Sequence, residues 1–467
     1  MAQRAKLRLR SAAALARFAR DERGTMTLFG VYIFMMMLLV GGIGVDLMRN
    51  EMERVRLQNT VDRAVLAAAD LDQELDPTAV VNDYFAKAGM SSYVNSVTIN
   101  EGLNFRIVTA DASTASQTQF MRLMGVPDLP VPAISQAEER IANVEISMVL
   151  DISGSMGSNN KIKNMRDAAK VFVDTVIREE TEDLISLSMV PYSEHVNAGP
   201  DLFGAFKTIR RHNYSFCMEF PNSEYTKTKI NRSLTYDQGQ HFQWGYDSKN
   251  RVNNPMCPKQ WYEQVVTHSQ NATDLKNRIG KMQARGSTSI FLGMKWAVGL
   301  LDPDFNTILR KLNTAGKVDN EFISRPAAYS DVETLKTIVL MTDGRNHYSN
   351  RIASWAYDAP SEYVHWSKNN FWYWLYDNVH HSQRHYYYNA DIYTPSTGDF
   401  YLDQICDAAK AKGIVVWSIG FEVDNHGATQ MKNCASSPSH FFRVEGVEIS
   451  EAFEAIARSI NQLRLTQ

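Results

Sequence analysis

The chain has 467 residues, enough for two or three domains and a sizeable core. Its formal charge of −3 leaves no electrostatic footprint for nucleic acid, so a nucleic-acid partner is excluded at the outset. That balance hides an asymmetry: residues 1–23 carry seven Lys or Arg against Asp21 and Glu22.

In chain order, the basic flank 1–24 comes first. Met1–Ala19 reads either as a short amphipathic helix on an anionic inner leaflet or as a disordered flank that only sets topology. Thr25–Val45 then runs 21 residues without a charge, long enough to cross a bilayer as a helix, and the span is placed at 25–46. The run is too long for a signal-peptide core, and no small-x-small site follows directly, so it reads as a retained anchor. The positive flank holds the N-terminus in the cytoplasm and exports everything after Asp46, where cysteines can oxidise.

Residues 47–75 continue the anchor helix. Arg49–Ala69 has no Pro or Gly, and Leu57, Val61, Ala64 and Ala68 form an apolar stripe at helical spacing. Residues 76–140 form a small mixed subdomain. There Thr78–Ala88 reads as a helix, Ser96–Ile99 and Phe105–Thr109 as strands, Gln117–Met124 as a helix, and Pro127–Ile134 as a link or edge strand. No chemistry is visible in it.

From Val144 onward, strand and helix alternate to the end of the chain. The fold class is α/β: a doubly wound, mostly parallel sheet with insertions, borne on the anchor helix and the small subdomain. Val144–Leu150 is a buried strand that runs straight into Asp151-Ile152-Ser153-Gly154-Ser155-Met156. Ligands of such sheets collect beyond the carboxyl ends of strands, which is where Asp151, Ser153 and Ser155 stand. An Asp-x-Ser-x-Ser loop offers only hard oxygen donors, suited to Mg²⁺ or Mn²⁺ and not to zinc or copper. A second apolar strand, Leu335–Met341, runs into Thr342-Asp343, and Thr288 opens the helical stretch Ile290–Leu301. Two strand-end carboxylates and a hydroxyl at a helix start can converge on one cation. Ile162–Ile177, Leu402–Ala411 and Ile449–Leu463 read as further helices, Leu184–Val190 and Ile414–Ile419 as further strands. Pro191-Tyr192-Ser193 ends its strand toward the same face.

Two insertions interrupt the 144–467 domain, at about 200–285 and 345–399. The second is crowded with Trp355, Trp366, Trp372, Trp374 and Tyr386-Tyr387-Tyr388. These rings either form a recognition surface at the rim of the metal loop or bury one another as a small core. His380, His381 and His385 read as a solvated loop and not as a metal cluster. The four cysteines allow three pairings; closeness in sequence favours Cys217–Cys257 and Cys406–Cys434. No Cys-x-x-Cys pair supports a zinc site. No Ser/His/Asp triad, phosphate loop or zinc-hydrolase helix is recognisable.

The set Asp151, Ser153, Ser155, Thr288 and Asp343, in that order, resembles the metal-ion-dependent adhesion site of von Willebrand factor A domains. The anchor resembles the TadE/TadG group of tight-adherence (Flp) pilus assembly proteins, through Asp21-Glu22-Arg23-Gly24, Gly44-Val45-Asp46, Leu57-Gln58-Asn59 and Ala67-Ala68-Ala69. Prepilin-like cleavage after Gly24 calls for Glu at the fifth position beyond it; Phe29 stands there, which fits a permanent anchor better. Together the resemblances imply a TadG-like, single-pass protein of a bacterial inner membrane, its C-terminal domain periplasmic or exported. They imply an assembly or anchoring role for the pilus through Mg²⁺-dependent protein binding, without catalysis. The implied partner is a pilus assembly component or pilin that presents an acidic residue to the metal. The alternative is a surface adhesin that turns the same site on host or matrix ligands.

Overall fold

The computed structural model describes residues 24–466 apart from 71, 72, 74, 103, 104, 141, 142, 246–248 and 332. The basic flank, with the amphipathic reading of Met1–Ala19, lies outside the described residues. The chain divides into two compact units, Met1–Arg140 and Ile141–Gln467.

In the first unit, helix α1 runs unbroken from Thr25 to Ala69. Its first half is the one helix among the described residues long and apolar enough to cross a membrane, and that half is almost wholly exposed. Its second half is amphipathic: Leu57, Val61, Ala64, Val65 and Ala68 are buried against helix α2 (Pro77–Lys87) and a three-stranded sheet. That sheet is antiparallel, with β1 (Val94–Gly102), β2 (Phe105–Gln117) and β3 (Asp128–Arg140) in that order. The proline-containing strand β3 lies at an edge, where a missing N–H costs no ladder bond.

The sequence expectation of a helix over Gln117–Met124 is corrected. β2 and β3 pair without interruption from Phe105/Arg140 to Gln117/Asp128, leaving only a single 3₁₀ turn, Met121–Met124. That turn is tied to α1. Asp46 Oδ1 accepts the Gln119 amide at 2.9 Å, and Oδ2 accepts those of Phe120 and Met121 at 2.7 and 2.8 Å. One turn back, the Phe120 ring lies so closely on Gly42 that any Cβ there would overlap it.

The second unit is built on a six-stranded sheet. In chain order its strands are β4 (Asn143–Asp151), β5 (Ile185–Tyr192), β6 (Val266–Ser269), β7 (Thr334–Thr342), β8 (Val415–Phe421) and β9 (Phe441–Val444). In space the order is β9-β8-β7-β4-β5-β6, all neighbours parallel except the β5–β6 edge pair. Strand β6 falls within the stretch read from sequence as the first insertion, yet it belongs to the sheet.

The central strands are near-continuous apolar runs because both their faces are covered. Val149, Ile338, Leu340 and Val416 point to one helical layer, α5 (Ile290–Leu301) and α6 (Pro395–Lys410). Ile146, Met148, Leu150, Val339, Met341 and Ile419 point to the other, α3 (Lys161–Val176), α4 (Ala272–Lys281) and α8 (Glu448–Thr466). Helix α7 (Asn425–Cys434) follows β8. Every residue of α5 is buried, Lys295 included; its ammonium is satisfied by the carbonyls of Glu224, Lys227 and Lys229 at 2.7–2.8 Å.

The aromatic insertion shares a small core with the first insertion. Tyr357, Tyr363, Trp366 and Phe371 are buried with Phe242 and Met256 of the first insertion. Trp244 stacks on Phe371 at 5.1 Å between ring centroids. Trp355 and Tyr386 remain exposed. The cysteines form two disulfides, Cys217–Cys257 and Cys406–Cys434.

Candidate metal site

β4 and β7 are parallel neighbours, so the residues that follow them emerge at one edge of the sheet. Asp151 closes β4 and Asp343 comes directly after β7. The loop after Asp151 is drawn in by its own carboxylate: Asp151 Oδ1 accepts the Ser153 amide at 2.7 Å. Oδ2 accepts the hydroxyls of Thr342 at 2.7 Å and Tyr192 at 3.3 Å. The Gly154 amide donates to the Gly286 carbonyl at 2.9 Å, and a Cβ on Gly154 would stand the same 2.9 Å from that oxygen. Only glycine fits so close an approach.

The side chains then form a continuous row. Ser153 Oγ lies 3.0 Å from Ser155 Oγ, and Ser155 Oγ donates to Asp343 Oδ1 at 2.6 Å. Four of the five residues singled out in the sequence are thus brought together. Thr288, the fifth, is buried across the gap; it lines the same cleft as Ser155, and its carbonyl accepts the His347 amide at 2.8 Å.

Three groups at the site were not singled out. Lys161, the first residue of α3, donates from Nζ to Asp343 Oδ2 at 3.0 Å and stands 3.8 Å from Glu422. Thr342 and Tyr192 hold the second oxygen of Asp151. The turn of Pro191-Tyr192-Ser193 toward this face was the one signal that could have pointed to Tyr192. Nothing in the spacing marks Lys161, which lies ten residues past Asp151 in an ordinary helix start. Burial, and then the nearby charge of Asp343, push the Asp151 carboxyl up to about 6. Like charges this close and this dry favour an added cation.

The cleft above the row measures about 860 Å³ and is lined by Glu194, Trp244, Arg345 and Tyr348 besides Ser155 and Thr288. Beneath it the second insertion is tied to the first by an ion pair and to the loop after β5 by a hydrogen bond. Arg351 Nε donates to Glu219 Oε1 at 2.8 Å, and Ser349 Oγ donates to Glu194 Oε1, also at 2.8 Å. Burial drives the Glu219 carboxyl up, but Arg351 and His195 outweigh it and hold it well below the usual range.

The donors fit a small hard cation. Among the described residues no group of three or more His, Cys, Asp or Glu could hold a metal, so a zinc-type cage is not present. The oxygen-only row has a different character. Mg²⁺ takes six oxygens at about 2.0–2.1 Å, which sets neighbouring ligands about 2.9 Å apart. The spacings along Ser153, Ser155 and Asp343 bracket that value.

A mostly parallel sheet covered on both faces, with a hydroxyl-rich loop and two carboxylates at one edge, defines a mixed α/β domain. The more particular affinity lies at the other end of the chain. Residues 24–71 match the Flp pilus-assembly TadE/G-like family, so the anchor region is TadE/G-like and membrane-anchoring.

No curated protein matches the chain. Among solved structures it is similar to the von Willebrand factor domain of the type V pili tip protein Mfa5 from Porphyromonas gingivalis. The identity is 13% over 69% of this chain and 96% of that one, with a TM-score of 0.36. It is similar also to the pilus adhesin SpaC from Lactobacillus rhamnosus GG, at 14% identity over 79% of this chain and 33% of that one (TM-score 0.33). A third is the adhesive tip pilin of Group B Streptococcus agalactiae, at 11% identity over 68% and 100% (TM-score 0.32).

Proposed function

We propose that this is a TadG-like envelope protein that assembles or anchors a tight-adherence pilus by Mg²⁺-dependent protein binding. On this reading the second unit is a doubly wound von Willebrand factor A domain on the exported side of a bacterial inner membrane. Ser153, Ser155 and Thr288 would hold Mg²⁺ (or Mn²⁺) directly, and Asp151 and Asp343 would hold it directly or through water, both carboxylates already accepting protein hydrogen bonds at each oxygen. Few charged ligands leave such a cation under-neutralised, and the chemistry it supplies is attraction for a carboxylate. The partner is a pilus assembly component or pilin that offers Asp or Glu to it. No bond is made or broken.

The observation that carries this reading is the Ser153–Ser155–Asp343 row, whose oxygens stand at the separations of adjacent ligands. Ser153→Ala removes one donor and little volume, and Asp343→Ala removes a carboxylate. Both variants should stay in the membrane, resist protease and keep their disulfides, yet lose Mg²⁺ binding by calorimetry and capture of the partner in crosslinked membranes. Chelator should mimic them in the unaltered protein, and Mg²⁺ should reverse the chelator but not Asp343→Ala. Full capture by both folded variants would move the function to the insertions. Loss of adhesion with pili intact would favour the adhesin role.

A further inference from the structure

The half of α1 beyond the span has a second apolar stripe, opposite the buried one. Continuing in register from Val45 at the end of the span, Met48, Met52, Val55, Asn59 and Leu66 are all exposed, Met52 at 71% and Leu66 at 66%. They fall at alternating steps of three and four, at the a and d positions of three heptads. The single break is Asp62 at d, which is half-buried and accepts from Gln58 at 2.9 Å. At about 1.5 Å per residue, Leu66 stands about 30 Å past Asp46 along the helix, so the bilayer does not cover the part of the stripe from Val55 onward. Leu57, Val61, Ala64 and Ala68 occupy c and f positions and face the first unit's own core.

We propose that this stripe is a parallel, in-register coiled-coil seam between two copies of the chain. The orientation follows from the charges. Arg49, Arg56 and Arg63 occupy every e position from 49 to 63, and Glu51 occupies g. In a parallel pair, g of one helix meets the e position five residues on in its partner, which sets Glu51 against Arg56. In an antiparallel pair e meets e, and arginine would face arginine. The e and g charges of coiled coils choose orientation in this way, and a lone Asn at a, here Asn59, fixes register and favours two strands. Two chains anchored in one membrane with the same topology are parallel already. Neither Glu51 nor Arg56 is committed elsewhere by burial: Glu51 pairs with Arg54 of its own helix, and Arg56 donates to the Ala88 carbonyl at 3.3 Å, both at the surface.

The test uses the full chain in native membranes, expressed as two differently tagged copies. M52C places a thiol at a, V55C one at d, and R54C one at c as an exposed control off the seam. The native cysteines are already paired with one another. After mild oxidation, M52C and V55C should link the two tagged copies through a disulfide and R54C should not. On the M52C background, E51R should reduce linking several-fold, and E51R/R56E should restore it, since each swapped charge then meets its swapped partner. That restoration separates a seam from a helix merely destabilised by the first change. Linking at 54 equal to that at 52, a failure of the double swap to restore, or capture at 52 of a different protein instead of the second tag would each overturn the proposal. So would absence of linking at both 52 and 55.

Discussion

At the scale of single residues, the row of oxygens at the sheet edge is legible in the sequence wherever its groups are local. Asp151, Ser153 and Ser155 are a contiguous string, and Asp343 ends an apolar run that announces itself. Lys161 was not legible, because its role depends on α3 starting just where its ammonium reaches a carboxylate 182 positions on. That ion pair has a consequence for the metal. An ammonium 3.0 Å from Asp343 neutralises a proposed ligand, and any divalent ion must compete with it. The pair is buried, so water screens it little. Lys161→Met should therefore tighten Mg²⁺ binding by about tenfold or more, which is about 1.4 kcal/mol of coupling. It should also lower the unfolding midpoint in chelator, where the two site carboxylates are left to repel each other. Calorimetric titration and thermal unfolding of the detergent-solubilised chain read the two effects. Weaker Mg²⁺ binding in the variant would mean that Lys161 supports the site and does not compete for it.

Among elements, the apolar strands β4 and β7 and the helices that follow them were plain in the sequence, since strands buried on both faces lose their alternation. Strand β6 was not plain. It is four residues long, pairs antiparallel at an edge, and follows an irregular stretch that hides it. The fate of the aromatic rings was equally hidden: Trp366 and Phe371 are buried by Phe242 and Trp244, which come from an insertion more than a hundred positions earlier. The disulfide Cys406–Cys434 joins α6 to α7 across 28 positions. Closing a loop of that size removes about 3–4 kcal/mol of unfolded-state freedom in the chain-entropy account. Cys406→Ala with Cys434→Ala should cost at least that much, because both sulfurs are fully buried. The urea midpoint of the second unit in the intact chain measures it. A loss below about 1 kcal/mol would show that the bridge adds little beyond native packing.

For the whole molecule, the sequence told more about where the chain sits than about how its parts are joined. The charge bias across Thr25–Asp46 predicts that a reporter fused after Ala69 is active only outside the cytoplasm; activity inside would reverse the topology and remove the oxidising setting of both disulfides. Asp46 read as the end of the span and as part of the Gly44-Val45-Asp46 string. In the folded chain its carboxylate gathers the amides of Gln119, Phe120 and Met121, while the Phe120 ring lies on Gly42. A helix of 45 residues is a rod about 68 Å long, and this clasp grips it near the middle, where the apolar half gives way to the amphipathic one. The rod then has no free swivel. A twist or a lengthwise pull on the first unit's sheet passes into the lipid-embedded half within one helical turn, with no slack linker to absorb it, so the anchor behaves mechanically as an axle keyed to its load.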